Sequence, residues 1–189
     1  MNRRQRQTFL FTFIAVVGFI LIGIGFLAVI SPRQFKTFES KRYGLSIGYP
    51  KSWTVRTDLP GVVVVFVSPL ESEIDVFREN VSVIVQDLSA NPQTLNKYVQ
   101  IAEMQVRGFF KDQIEVKFSG PTLVAGMTGH KLVYKGVNKA GGDLNIAMEH
   151  IMFIKDNKAY QLTFSAIVSK FDRYEGIFKN MVRSFGIRK

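Results

Sequence analysis

The chain contains no cysteine, and that lack removes three options at once. No disulfide can staple the fold, no thiolate can act as nucleophile or soft metal ligand, and no lipid-modified cysteine can hold the protein to a membrane. Histidine is nearly as scarce, with only His130 and His150. Neither belongs to an H-E-x-x-H motif, and nucleophile-elbow and P-loop patterns are missing as well. Glu149 and His150 are adjacent, but neighbours on a strand point to opposite faces and cannot share a substrate or metal. No acid–base or nucleophile constellation is legible, so no catalytic residue is assigned and enzymatic activity is not expected. Interleaved basic and aromatic patches of the RNA-binding kind are absent too, and nucleic acid is not an expected partner. There are no internal repeats and no low-complexity tracts.

Acidic residues are missing from the first part of the chain, and from Thr8 to Ile30 there is no charge of either sign. That run is rich in Phe, Ile, Leu, Val and Gly; as a helix it reaches about 30 Å or slightly more, enough to cross a bilayer's hydrocarbon core. Only a helix satisfies its own backbone polar groups there. Arg3, Arg4 and Arg6 precede it, as in a signal peptide, but the run exceeds the ~7–15 residues of a signal core and ends in Leu27-Ala28-Val29-Ile30-Ser31-Pro32, without a small-x-small cleavage site. The expectation is an uncleaved, single-pass anchor over 8–30, after a basic tail over 1–7. A short basic N-terminus favours the cytoplasmic side, which places the rest of the chain outside the cytoplasm. Within the run the glycines do not form G-x-x-x-G, so association through the helix is not signalled.

Residues 31–40 read as a juxtamembrane linker, with Pro32 stopping the helix, and 41–189 as one domain. Net charge is +10 over 189 residues. Four of the 25 basic residues precede Lys36, leaving 21 basic against 15 acidic residues from Lys36 onward. That modest excess reads as a mixed, soluble surface, with an anionic membrane or an acidic partner as the alternative.

Periodicity then gives the elements. Tyr43, Leu45, Ile47 and Tyr49 alternate with Gly44, Ser46 and Gly48, a half-buried strand. Trp53–Val55 is a short strand, and Val62–Val67 is a β-branched run suited to cover on both faces. Val81–Asp87, Ile114–Phe118 and Lys131–Lys135 are further strands, with Gly126 and Gly129 in a turn region. Thr94 reads as an N-cap, followed by Leu95, Tyr98, Val99, Ala102, Val106 and Phe109 at helical spacing. Leu144–Ile154 and Ala159–Ala166 flank Asp156-Asn157, whose residues suit the positive φ angles of a tight hairpin. Ser169 and Asp172 have capping-box spacing before an apolar stripe of Phe171, Tyr174, Ile177, Phe178, Met181 and Phe185. Hairpins without regular βα alternation imply an α+β class: an antiparallel sheet packed by helices.

Two features bear on a site. His150 shares a face with Ile146, Met148, Met152 and Ile154; it reads as a hydrogen-bonded core or edge residue, with metal binding as the other option. Glu71, Glu73, Asp75 and Glu79 gather hard oxygen donors on the Ser68–Asn80 loop, as calcium requires, but without the order of a calcium loop. A solvated acidic loop used for docking is the competing reading. No other cofactor is expected.

Tyr43-Gly44-Leu45-Ser46-Ile47-Gly48-Tyr49-Pro50-Lys51-Ser52-Trp53 resembles the opening strand and Y-P-x-x-W turn of the PsbP-like domain family. Val65-Phe66-Val67-Ser68-Pro69, Glu79-Asn80-Val81-Ser82-Val83, Lys158–Ala166 and the helix ending at Ser184-Phe185 are similar to later elements of that family, in order, across about Tyr43 to Ile187. The resemblance implies an α-β-α sandwich and a non-catalytic binding or assembly role at the lumenal face of photosystem II, supporting the oxygen-evolving complex, with calcium retention as a proposed role. Family members with that role reach the lumen by a transit peptide or a lipid-modified cysteine, whereas this chain carries the run 8–30. The alternative is an envelope domain that binds a small molecule or lipid in a cleft lined by Phe66, Tyr98, Phe109 and Phe164. Membrane attachment through Thr8–Ile30 and a protein complex at the membrane are the expected partners.

Overall fold

A computed structural model describes residues 35–73, 75–111, 113–138 and 142–188. The run Thr8–Ile30 lies outside them; among the described residues no helix is long and apolar enough to cross a membrane. The class is α+β, as the pattern requires. Its strands are β1 (Phe35–Ser40), β2 (Leu45–Pro50), β3 (Thr54–Arg56), β4 (Val64–Val67), β5 (Asn80–Asp87), β6 (Ile114–Val124), β7 (Met127–Asn138), β8 (Leu144–Lys155), β9 (Lys158–Ile167) and β10 (Gly186–Ile187); its helices are α1 (Leu95–Phe109) and α2 (Phe171–Ser184).

Seven strands form one antiparallel sheet in the order β3-β4-β5-β9-β8-β7-β6. The central hairpin β8–β9 turns on Asp156 and Asn157, both at positive φ (51° and 54°), the type of turn whose twist matches its flanking strands. Its alternation sorts the core. Ala147, Ile151, Phe153, Tyr160, Leu162, Phe164 and Ala166 face one side, and Ile146, Met148, Met152 and Ala159 the other. Helix α1 covers the second side with Tyr98, Val99, Ala102 and Val106, and the Thr94 hydroxyl accepts from the Lys97 amide as an N-cap.

The first side is covered by a layer that sequence did not show in full. A small sheet, β1-β2-β10, lies beside α2. Residues 35–40 are therefore not a linker. They form β1, paired with β2 from Phe35↔Pro50 to Ser40↔Leu45, and Phe38 packs edge-on against Phe66. Alternating Phe35 and Phe38 among polar residues is too sparse a pattern to announce a strand alone. Strand β10 is two residues long and has no pattern of its own.

Other boundaries also moved. A single 3-10 turn, Val168–Lys170, precedes α2, and Ser169 lies inside it rather than capping the helix. Strands β6 and β7 run well past their apolar centres, because pairing with β8 carries them. The turn between them is Ala125-Gly126, and Gly129 belongs to β7 instead. A Cβ at Gly129 would stand 2.8 Å from the Met152 carbonyl, so glycine there serves close packing, not the turn. Strand β6 is the long edge of the sheet. Its register shift between Val116 and Phe118, together with Lys117 and Pro121, blunts that edge against pairing with another chain.

Candidate functional site

The acidic loop gains its geometry from strand register. Val67 at the end of β4 pairs with Asn80 at the start of β5, so residues 68–79 leave and return at one end of the sheet. The Ser68 amide closes the base by donating to the Glu79 carbonyl at 2.8 Å. Asn80 also pairs with Ser165 of β9, which sets the following 3-10 turn beside the loop. Lys170, at the end of that turn, therefore reaches into it.

Three of the four acidic residues meet there. The Lys170 Nζ lies 2.8 Å from Asp75 Oδ1, 3.4 Å from Glu71 Oε2 and 4.0 Å from Glu79 Oε1. Glu73 is exposed on the loop surface and does not join them. The first turn of α2 adds Arg173, 3.0 Å from Glu71, and Tyr174, whose hydroxyl donates to Glu71 at 2.5 Å. Trp53 packs against Tyr174 and closes the cluster from the side of β3.

Burial is uneven. The Glu79 side chain is 0% exposed and that of Asp75 4%, while Lys170 retains 18%. The Ser68 hydroxyl lies 3.4 Å from Glu79 Oε2, but Oε1 is buried with no hydrogen-bond partner. Burial raises the Glu79 pKa to about 7; its own backbone and Lys170 pull it down, while Asp75 and Glu71 add to the rise. Burial acts on Lys170 in the opposite sense, but its hydrogen bond to Asp75 and the surrounding carboxylates hold its pKa above the ordinary value. Tyr174 is held protonated by burial and by its bond to Glu71.

Calcium was the ion the sequence suggested here, and the residues do not fit it. Calcium takes about six to eight oxygens at roughly 2.3–2.6 Å. Here an ammonium stands where the carboxylates converge and one of the four acids points away. Among the described residues no group of three or more metal-ligating side chains is arranged to hold a metal.

The histidines resolve as different environments. His150 is fully buried under α1, between the Tyr134 hydroxyl (2.7 Å from Nε2) and the Gln161 amide (2.9 Å from Nδ1), with Thr163 Oγ1 at 3.4 Å. Burial lowers its pKa to about 3, so it is neutral at ordinary pH. This is the hydrogen-bonded core residue of the sequence reading. Glu149 points to the opposite face, paired at 2.9 Å with Lys131, and burial raises its pKa. His130, given no role by the sequence, has its Nε2 2.8 Å from Ser119 Oγ. Burial lowers the His130 pKa while the charge of Glu103 acts against that shift, and no catalytic role is assigned to the exposed pair.

The proposed apolar cleft is not formed. Phe66 and Phe164 belong to the cluster beneath α2 and the small sheet, whereas Tyr98 and Phe109 are carried by α1 and join the cluster on the other face. Residues on one helix and residues on separate strands carry no sign of which sheet face they will meet, so their common hydrophobicity misled. What is open instead is a depression of about 790 Å³ at the same end of the sheet as the acidic loop, lined by residues including Ile114, Lys135, Asp143, Asn145, Ile167 and Ser169.

Sequence comparison matches residues 33–187 to the family model described as PsbP. No curated protein matches the chain in sequence. Among solved structures, the cyanobacterial PsbP of Synechocystis sp. PCC 6803 superposes with a TM-score of 0.58 at 18% identity, covering 89% of this chain and 99% of that one. The Ran-binding protein Mog1p of Saccharomyces cerevisiae gives a TM-score of 0.58 at 10% identity, over 82% and 95% of the two chains. LpqN of Mycobacterium tuberculosis, involved in cell envelope biogenesis, gives 0.55 at 12% identity, over 88% and 100%. At these identities the three structures show a shared fold.

Proposed function

The chain belongs to the PsbP family, and from that premise we propose a membrane-anchored, non-catalytic binding or assembly factor that works on the extracytoplasmic or lumenal face in association with photosystem II. The observation that carries this reading is the extent of the family match: it spans 33–187, all of the folded domain, and not one borrowed motif. The uncharged run supports the membrane part. From Ile30 to Phe35 an extended chain spans at most ~18 Å, so an anchor over 8–30 holds the first strand close to the bilayer. The absence of a buried-to-open acid–base constellation among the described residues supports a binding role over catalysis.

An envelope domain that holds a small molecule or lipid is the second reading. The open depression beside Lys135 and Asn145 favours it, but the cleft residues first assigned to it do not. Two measurements separate the parts of the proposal. Carbonate washing of isolated membranes should leave the full chain in the pellet, and protease added to sealed inside-out and right-side-out vesicles should cut the domain only from the extracytoplasmic side. Release by carbonate would defeat the anchor, and cleavage from the cytoplasmic side would defeat the orientation.

A further inference from the structure

We propose that Lys170 takes the place of a bound metal ion in this protein: its ammonium is the built-in counter-ion that closes loop 68–79 onto the start of α2. The proposal stands apart from the photosystem reading and does not depend on it.

Three carboxylates from different points of the loop converge on one nitrogen, at 2.8, 3.4 and 4.0 Å. Without a cation there, Asp75 and Glu79 would be like charges held in a site almost closed to water, an arrangement that opens or takes up protons. Glu79 Oε1 makes the point sharply, since it is buried, has no hydrogen-bond donor and faces the ammonium. A lysine ammonium has three N–H donors and suits a small set of carboxylates that could not complete a calcium sphere.

The position of Lys170 is also fixed from behind. It ends the turn that follows β9, whose register with β5 places that turn beside Glu79. The loop is tied to the same place by Arg173 and Tyr174 through Glu71, and by Arg78, whose Nε donates to the Ser68 carbonyl at 2.5 Å. An acidic loop built this way stays closed at any divalent-ion concentration.

The test measures amide hydrogen exchange of residues 68–79 in the detergent-solubilised full chain, with calcium chloride or with chelator. For the native chain, exchange is expected to be the same in both. Lys170→Met should speed exchange of the loop by about tenfold or more, while Lys170→Arg should keep most of the protection. Slower exchange of the native loop on adding calcium would overturn the proposal. So would native-like protection in Lys170→Met. If Lys170→Met does not fold, the calcium comparison on the native chain and Lys170→Arg still decides.

Discussion

Replacing Glu79 by glutamine keeps the shape of a buried side chain and removes its charge. In the native protein that carboxyl titrates at about 7, against 4.5 when exposed. A folded-state pKa raised above the unfolded value means that the folded protein holds a proton the unfolded chain has already lost. Stability therefore falls as pH rises from about 4.5 to 7, and the full cost is present above 7. The shift corresponds to about 3 kcal/mol, at roughly 1.4 kcal/mol per pKa unit. His150 works in the opposite direction. Its pKa falls to about 3 in the fold, so stability is lost as pH drops below about 6.5. Between about pH 4.5 and 6.5 the two slopes oppose each other, so Glu79 offsets the gain with pH that His150 supplies. In Glu79→Gln that offset is gone, and stability climbs more steeply with pH than in the native protein. Urea unfolding of the full chain in detergent, followed through Trp53, reads this directly, because Trp53 is buried against Tyr174. The variant should gain up to about 3 kcal/mol over the native protein between pH 5 and 8. Glu149 titrates in both proteins and drops out of the difference. A difference that stays constant across that range would refute the reasoning.

His150→Asn should be less stable than the native protein at pH 7 by about 1–3 kcal/mol, through the partners it leaves behind at Tyr134 and Gln161. That gap should narrow as pH falls toward 4, since asparagine carries no protonation cost; parallel curves would contradict the assignment. Asn157→Val places a β-branched residue at φ 54° in the central hairpin and should cost about 1–2 kcal/mol. Asn157→Gly should not, and equal losses in both would show that the side chain rather than the turn geometry matters.

The sequence exposed elements whose pattern is local. Helix α1, its Thr94 cap and the Asp156-Asn157 turn depend on residues within a few positions of one another, and each was found where periodicity and turn chemistry put it. Strand β1 was missed because its two phenylalanines gain meaning only against β2 and Phe66. The candidate site failed for the same reason in larger measure. Four acids on one loop were visible, but Lys170 lies 95 residues from Asp75, and nothing in its own neighbourhood marks it. Strand register brought it there, and register between β5 and β9 is a property of the assembled sheet. The division of Phe66 and Phe164 from Tyr98 and Phe109 has the same origin, because face assignment needs the sheet before the side chains can be sorted.

The most direct test of the proposed function is purification of the tagged full chain from mildly solubilised membranes of its own host, followed by separation of native complexes. The account predicts that the chain comigrates with photosystem II or one of its assembly intermediates, and that a chain lacking 1–30 is depleted from that fraction. Migration as a free monomer, with photosystem II elsewhere on the gradient, would contradict it.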